Sequence, residues 1–138
     1  MNKSQNLGIE EGQKPLLDFQ KLQKVANQNV LPVVAQDIQT GKVLIVGYVN
    51  EEALHYSLTH RVATFWSTSR NELWVKGKTS GDYLDLVEVR VNCEQNALLY
   101  LVNLRGKGSC HTRLADGKPR LSCFYRKLDH DKLTFVES

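Results

Sequence analysis

Three cysteines and one histidine are the side chains of this sequence best suited to holding a metal and moving a proton. Cys110, with His111 beside it, and Cys123 bracket a polar segment, and Cys93 precedes them. Asp116-Gly117 lies midway between Cys110 and Cys123 and is a two-residue hairpin signal. A hairpin centred there pairs 115 with 118, 112 with 121 and 110 with 123. Both thiols then share one face, with Cβ atoms roughly 4.5–5.5 Å apart. Two sulfurs so placed could share one zinc ion, whose Zn–S bonds are about 2.3 Å. Cys93 offers a third thiolate, and a fourth tetrahedral position left to water is the mark of a catalytic site. The chemistry expected is zinc-assisted hydrolysis.

Two plainer readings use the same residues. Free cysteine is among the most buried residue types, so three core thiols are one alternative. A Cys110–Cys123 disulfide is the other, since cross-strand pairing nearly meets the geometry of a bridge. The odd count leaves one thiol over, and residues 1–14 are polar and lack the apolar run of a secretory signal. No stretch approaches the length of a membrane span. A cytoplasmic protein with reduced thiols and no membrane partner is expected.

The elements that must position these groups follow from the pattern of apolar residues. At 138 residues the chain is sized for one domain, expected over residues 15–138 behind a flexible arm at 1–14. Pro15 opens a short amphipathic helix with Phe19, Leu22, Val25 and Ala26 at helical spacing. An extended segment over 33–36 and a turn at Gln39-Thr40-Gly41 lead to a buried strand over 42–49. Asn50 caps a second helix running to about Thr59, with Ala53, Leu54 and Leu58 inward and Glu51 and Glu52 favouring its dipole. Runs at 62–67, 73–76, 84–92 and 97–104 read as strands, with a turn at 93–96 between the last two. The fold class expected is α+β and β-rich, a mostly antiparallel sheet with one or two helices.

Two polar loops flank Trp74: Ser67-Thr68-Ser69-Arg70, and Lys76-Gly77-Lys78-Thr79-Ser80-Gly81. Hydroxyls, backbone N–H groups and cations in a glycine-permitted turn suit a phosphate, although plain turns explain them equally. A net charge of +3 is too small to argue for nucleic acid and fits an anionic small substrate. Gly106-Lys107-Gly108-Ser109 fails as a phosphate loop because position 101 is Leu. The zinc-deaminase pattern and the paired Cys-x-x-Cys of a zinc ribbon are both missing. Strand alternation would turn His111 to the face opposite Cys110. His55, His60 and His130 are assigned to the surface.

Taken in order, Gln36-Asp37, Gly41-Lys42-Val43-Leu44, Asn50-Glu51-Glu52-Ala53-Leu54, Ser67-x-Ser69-Arg70, Leu73-Trp74-x-Lys76-Gly77-x-Thr79-Ser80-Gly81, Cys110-His111-Thr112 and Ser122-Cys123-Phe124-Tyr125-Arg126 resemble the phosphoribosyl-AMP cyclohydrolases of histidine biosynthesis. The resemblance covers about two thirds of the chain, from Leu31 to Arg126. It implies hydrolysis of the purine N1–C6 bond of phosphoribosyl-AMP to a formimino-carboxamide. It also implies an intertwined homodimer whose zinc is held by Cys110 and Cys123 of one chain and Cys93 of the other, with magnesium supporting activity.

The chain departs from this family in three places. The acidic Asp-Cys-Asp-x-Asp segment reads Asn92-Cys93-Glu94-Gln95-Asn96, which leaves one carboxylate for a hard cation. The interval between the last two cysteines is longer, and Arg113 follows the threonine where glycine is usual. Leu84 stands where a glutamine commonly follows the Thr-Ser-Gly loop. On this reading His111 moves protons, Ser69, Arg70, Lys76, Thr79, Ser80 and Gly81 hold phosphate, and Trp74 stacks on the purine. The alternative function is a non-catalytic, zinc-stabilised RNA-binding module using Trp66, Trp74 and Tyr125.

Overall fold

Alternating apolar residues build one four-stranded sheet that carries the core. The computed structural model describes residues 7–136. Strands β1 (Leu31–Asp37), β2 (Val43–Val49), β5 (Leu84–Val91) and β6 (Leu98–Leu104) lie in the order β2-β1-β6-β5. The β1–β2 and β5–β6 pairings are antiparallel, and β1–β6 is parallel. Two hairpins stand beside this sheet: β3 (Thr64–Ser67) with β4 (Glu72–Val75), and β7 (Arg126–Asp129) with β8 (Lys132–Phe135). Helices α1 (Lys21–Val25) and α2 (Glu51–His60) and one π-helical turn at Leu7–Glu11 complete the described elements. The result is α+β and mostly antiparallel, as the strand pattern predicts.

One face of the sheet buries Val33, Ala35, Tyr100 and Val102 against Ala53 of α2 and Phe65 of β3. Asn50 caps α2 by accepting a hydrogen bond from Ala53 N at 2.8 Å, as expected. The inward face of α2 differs from expectation at Leu58, which is exposed, while Ser57 is fully buried. Ser57 Oγ donates to the Ala53 carbonyl (2.9 Å) and accepts from Thr64 N (2.9 Å), and the buried Tyr100 hydroxyl donates to the Thr64 carbonyl (3.2 Å). Burial raises the Tyr100 pKa. This hydroxyl network locks α2 and the sheet to β3, and so fixes the β3–β4 hairpin.

The opposite face is less covered than the sequence suggests. The segment over 42–49 reads as fully buried, yet Val43 and Val46 are exposed because β2 is an edge strand of a one-sided sheet. The helix expected from Pro15 is shorter, starting at Lys21, and Phe19 is 87% exposed, with Leu22 also outside. Only Val25 of that apolar set reaches the interior. Of the arm expected over 1–14, residues 1–6 lie outside the described residues.

The segment between Cys110 and Cys123 folds back on itself with a register one residue from expectation. Arg113 bridges Pro119, and Leu114 N donates to the Lys118 carbonyl at 2.8 Å. The tip is therefore Ala115-Asp116-Gly117, three residues long. Gly117 takes φ +87°, the left-handed position that a three-residue hairpin loop needs. Pro119, which lacks an N–H, sits at the isolated bridge rather than in a continuous ladder.

Candidate active site

A cleft of about 390 Å³ opens between the β3–β4 hairpin, the loop after it, and the thiol segment. Arg70, Trp74, Lys76, Thr79, Ser80, Cys110 and His111, all singled out from the sequence, line it together. Lys78, Arg113, Glu72 and Asp82 join them. Four Lys and Arg side chains against two carboxylates make the cleft a fit for an anion. Trp74 packs its ring 5.3 Å from the buried Phe65 and keeps part of its surface outward, ready to stack on a planar ligand. Ser69 lines a neighbouring hollow with Arg70 and Trp74 instead, and Gly81 lies outside the cleft lining.

Strand alternation does not separate His111 from Cys110, because residues 105–125 run as bends and isolated bridges rather than a regular strand. Close backbone contact shapes this stretch. Ser109 N and Cys110 N both donate to the Arg120 carbonyl, at 3.1 and 3.0 Å. A Cβ on Gly108 would stand 2.4 Å from that same oxygen, so only glycine fits.

Cys110 and Cys123 are free thiols, Cys110 buried with its sulfur 2.9 Å from the Thr112 hydroxyl and Cys123 an exposed residue. The neighbouring Cys123 thiol pulls Cys110 down to about 5 from its ordinary 9.0, against the cost of burial and with help from Thr112 and His111. Cys123 is pushed up by the nearness of Cys110 and by desolvation of its sulfur, although the residue as a whole is exposed. The Lys76 amine is buried beside them. Desolvation lowers its pKa, and the charges of Asp82, Cys123 and Cys110 resist that shift.

Cys93 lies apart from this pair within the chain, exposed in the β5–β6 turn. Among the described residues no three His, Cys, Asp or Glu side chains gather as a metal cluster. The thiol pair suits a soft cation such as zinc, and among the described residues no third ligand joins the two thiols within one chain. The turn segment suits a hard cation poorly. Asn92 Oδ1 already accepts from Asn96 N and Ala97 N, both at 2.9 Å, while Asn96 Oδ1 accepts from the Asn92 amide and Glu94 Oε1 from the Asn96 amide. Asn92, Glu94 and Asn96 close a turn on themselves rather than a magnesium cradle.

Residues 45–125 match the family described as phosphoribosyl-AMP cyclohydrolase. A phosphoribosyl-AMP cyclohydrolase from Archaeoglobus fulgidus is 43% identical over 106 residues, 77% of this chain and 92% of that protein. The chain belongs to the phosphoribosyl-AMP cyclohydrolase family. A cyclohydrolase from Methanothermobacter thermautotrophicus is 41% identical over 122 residues, 88% of this chain and 82% of its own. A bifunctional protein of histidine biosynthesis from Aquifex aeolicus is 36% identical over 110 residues, 80% of this chain and 51% of that protein. Cyclohydrolase membership makes the chain an enzyme, and it supports the hydrolytic reading over the RNA-binding one. Two features of this cyclohydrolase escaped sequence reasoning. Asp82 carries no motif of its own, and Arg120, which anchors the thiol segment, meets its partner Glu11 from 109 residues away.

Proposed function

We propose that the cleft binds phosphoribosyl-AMP and hydrolyses its purine N1–C6 bond, with the thiol pair holding zinc beside it. The observation that carries this reading is Cys110 opening, with His111, onto a cationic cleft in a member of this family. Arg70, Lys78 and Arg113 take the phosphates with the Thr79-Ser80 loop, Trp74 stacks on the purine, and buried Lys76 balances the charge of the thiol pair. When bound to Cys110, Cys123 and Cys93 of the partner subunit, zinc supplies a nucleophile from water at neutral pH, lowering its pKa to about 7. The ribosyl group on N1 leaves C6 electron-poor. Water oxygen adds at C6, the C6–N1 bond breaks, and N1 takes a proton, leaving a carboxamide at C6. The His111 imidazole takes the proton from the water and returns it at N1.

A homodimer follows from the missing third ligand. Val34, Val43, Val91 and Leu99 line an apolar hollow of about 360 Å³ on the uncovered sheet face, and Asn92, next to Cys93, stands at its edge. A second copy seated there both covers these side chains and brings a Cys93 into play. A cytoplasmic location suits reduced thiols and a biosynthetic role. Among the described residues no helix is long and apolar enough to cross a membrane.

The purified protein incubated with phosphoribosyl-AMP should generate the ring-opened chromophore, and zinc chelation should stop it. His111→Ala should slow turnover by about 10²–10⁴-fold with zinc content unchanged. Turnover by thoroughly metal-free protein would refute the zinc reading.

A further inference from the structure

Residues 9–12 cross the thiol segment and are fastened to it by three of its side chains. Arg120 donates two hydrogen bonds to the Glu11 carboxylate, at 2.6 and 3.0 Å. The Tyr125 hydroxyl donates to the Glu10 carbonyl, and Arg126 donates to the carbonyls of Ile9 (2.6 Å) and Gly12 (3.0 Å). Arg120 is itself held, its guanidinium 4.1 Å from the centre of the Tyr125 ring and 5.3 Å from that of Phe135. The backbone of Glu10 is thus pinned on both sides. Its side chain reaches His111, with Oε2 2.7 Å from Nε2.

We infer that Glu10 is a positioning residue for His111, delivered by a strap that Arg120 anchors. The inference rests on the reading of His111 as the proton carrier. An exposed carboxylate–imidazole pair on an unconstrained surface is worth little, because two mobile side chains must be ordered to make it. Here the strap has already ordered one of them. Arg120 also orders the other, since its carbonyl accepts from Cys110 N and its N–H donates to the Thr112 carbonyl at 3.0 Å, gripping both neighbours of His111. A carboxylate only accepts, so Nε2 carries a proton, and in the neutral ring Nδ1 is then the nitrogen that keeps its lone pair. Glu10 therefore sets both the tautomer and the direction of the imidazole, the service a buried carboxylate gives the histidine of a hydrolytic triad.

Glu10→Ala should lower kcat by about 10–100-fold, the usual loss when the partner that orients a site histidine is removed, and leave KM and zinc content unchanged. Glu10→Gln keeps an oxygen acceptor and should recover most of the rate. Glu11→Gln, which loosens the strap without touching Glu10, should reproduce part of the Glu10→Ala loss. Ring ¹⁵N spectra of His111 should show the Nε2–H tautomer in the parent protein and a mixture in Glu10→Ala. Parent-like kcat in Glu10→Ala alongside an inactive His111→Ala would overturn the inference, as would an unchanged ring spectrum. Full turnover by His111→Ala would instead defeat the reading of His111, and the spectrum would still decide whether Glu10 sets the tautomer.

Discussion

Cys110 and Cys123 are coupled, Cys110 being pulled below and Cys123 pushed above the ordinary thiol pKa by the nearness of the other. Cys110→Ser and Cys123→Ser should each reduce bound zinc from about one ion per chain to a trace, measured by elemental analysis of protein purified without chelator. The strap gives a second test. Hydrogen bonds from Arg120 hold the Glu11 carboxyl below its ordinary 4.5. A depressed folded-state pKa means the stabilisation is whole above 4.5 and lost as pH falls through the lowered value. The parent protein should therefore exceed Glu11→Gln in Tm at neutral pH and converge with it in acid, as read by thermal melts across that range. The thiol pair was legible because its partners lie in one short segment that folds back on itself. Glu10–His111 and Glu11–Arg120 were not, since no local pattern marks pairs separated by 101 and 109 residues.

Among the elements, the β3–β4 hairpin carries Arg70, Trp74 and Lys76, and the hydroxyls beneath it keep it in place. Ser57→Ala leaves Thr64 N buried without its acceptor and should cost about 1–3 kcal/mol, measured by chemical denaturation. Gly108→Ala drives a Cβ into the Arg120 carbonyl and should weaken zinc binding, whereas Gly117→Ala at the open tip should cost only about 1 kcal/mol of stability and spare it. Strand alternation and the Asn50 cap revealed most of the sheet and α2. Ser57 was missed because a polar residue in an amphipathic helix reads as outward-facing. The β7–β8 hairpin was missed because Arg-Lys-Leu-Asp and Lys-Leu-Thr-Phe are too charged to read as strands. The three-residue tip was missed because Asp-Gly alone suggests a tighter turn, and only the Leu114–Lys118 pairing shows that Ala115 belongs to the loop.

At the scale of the whole molecule, one chain supplies the cleft and two sulfurs, and the third sulfur lies in the β5–β6 turn. Mixing inactive Cys93→Ser with inactive Cys110→Ser protein should restore activity in the hybrid dimers, where one site keeps all three thiols. Absence of complementation, with subunit exchange verified, would place the site within a single chain. The strap has a further consequence for how the protein assembles. Its contacts join positions up to 117 residues apart, and the Leu133 amide also reaches back to the Gln13 carbonyl. Contacts so distant in sequence carry the largest loop-closure entropy and form slowly. The sheet can zip from neighbouring strands early, while the thiol segment waits for residues from both flanks of the chain. The thiol segment should therefore be among the last parts of the molecule to mature during folding.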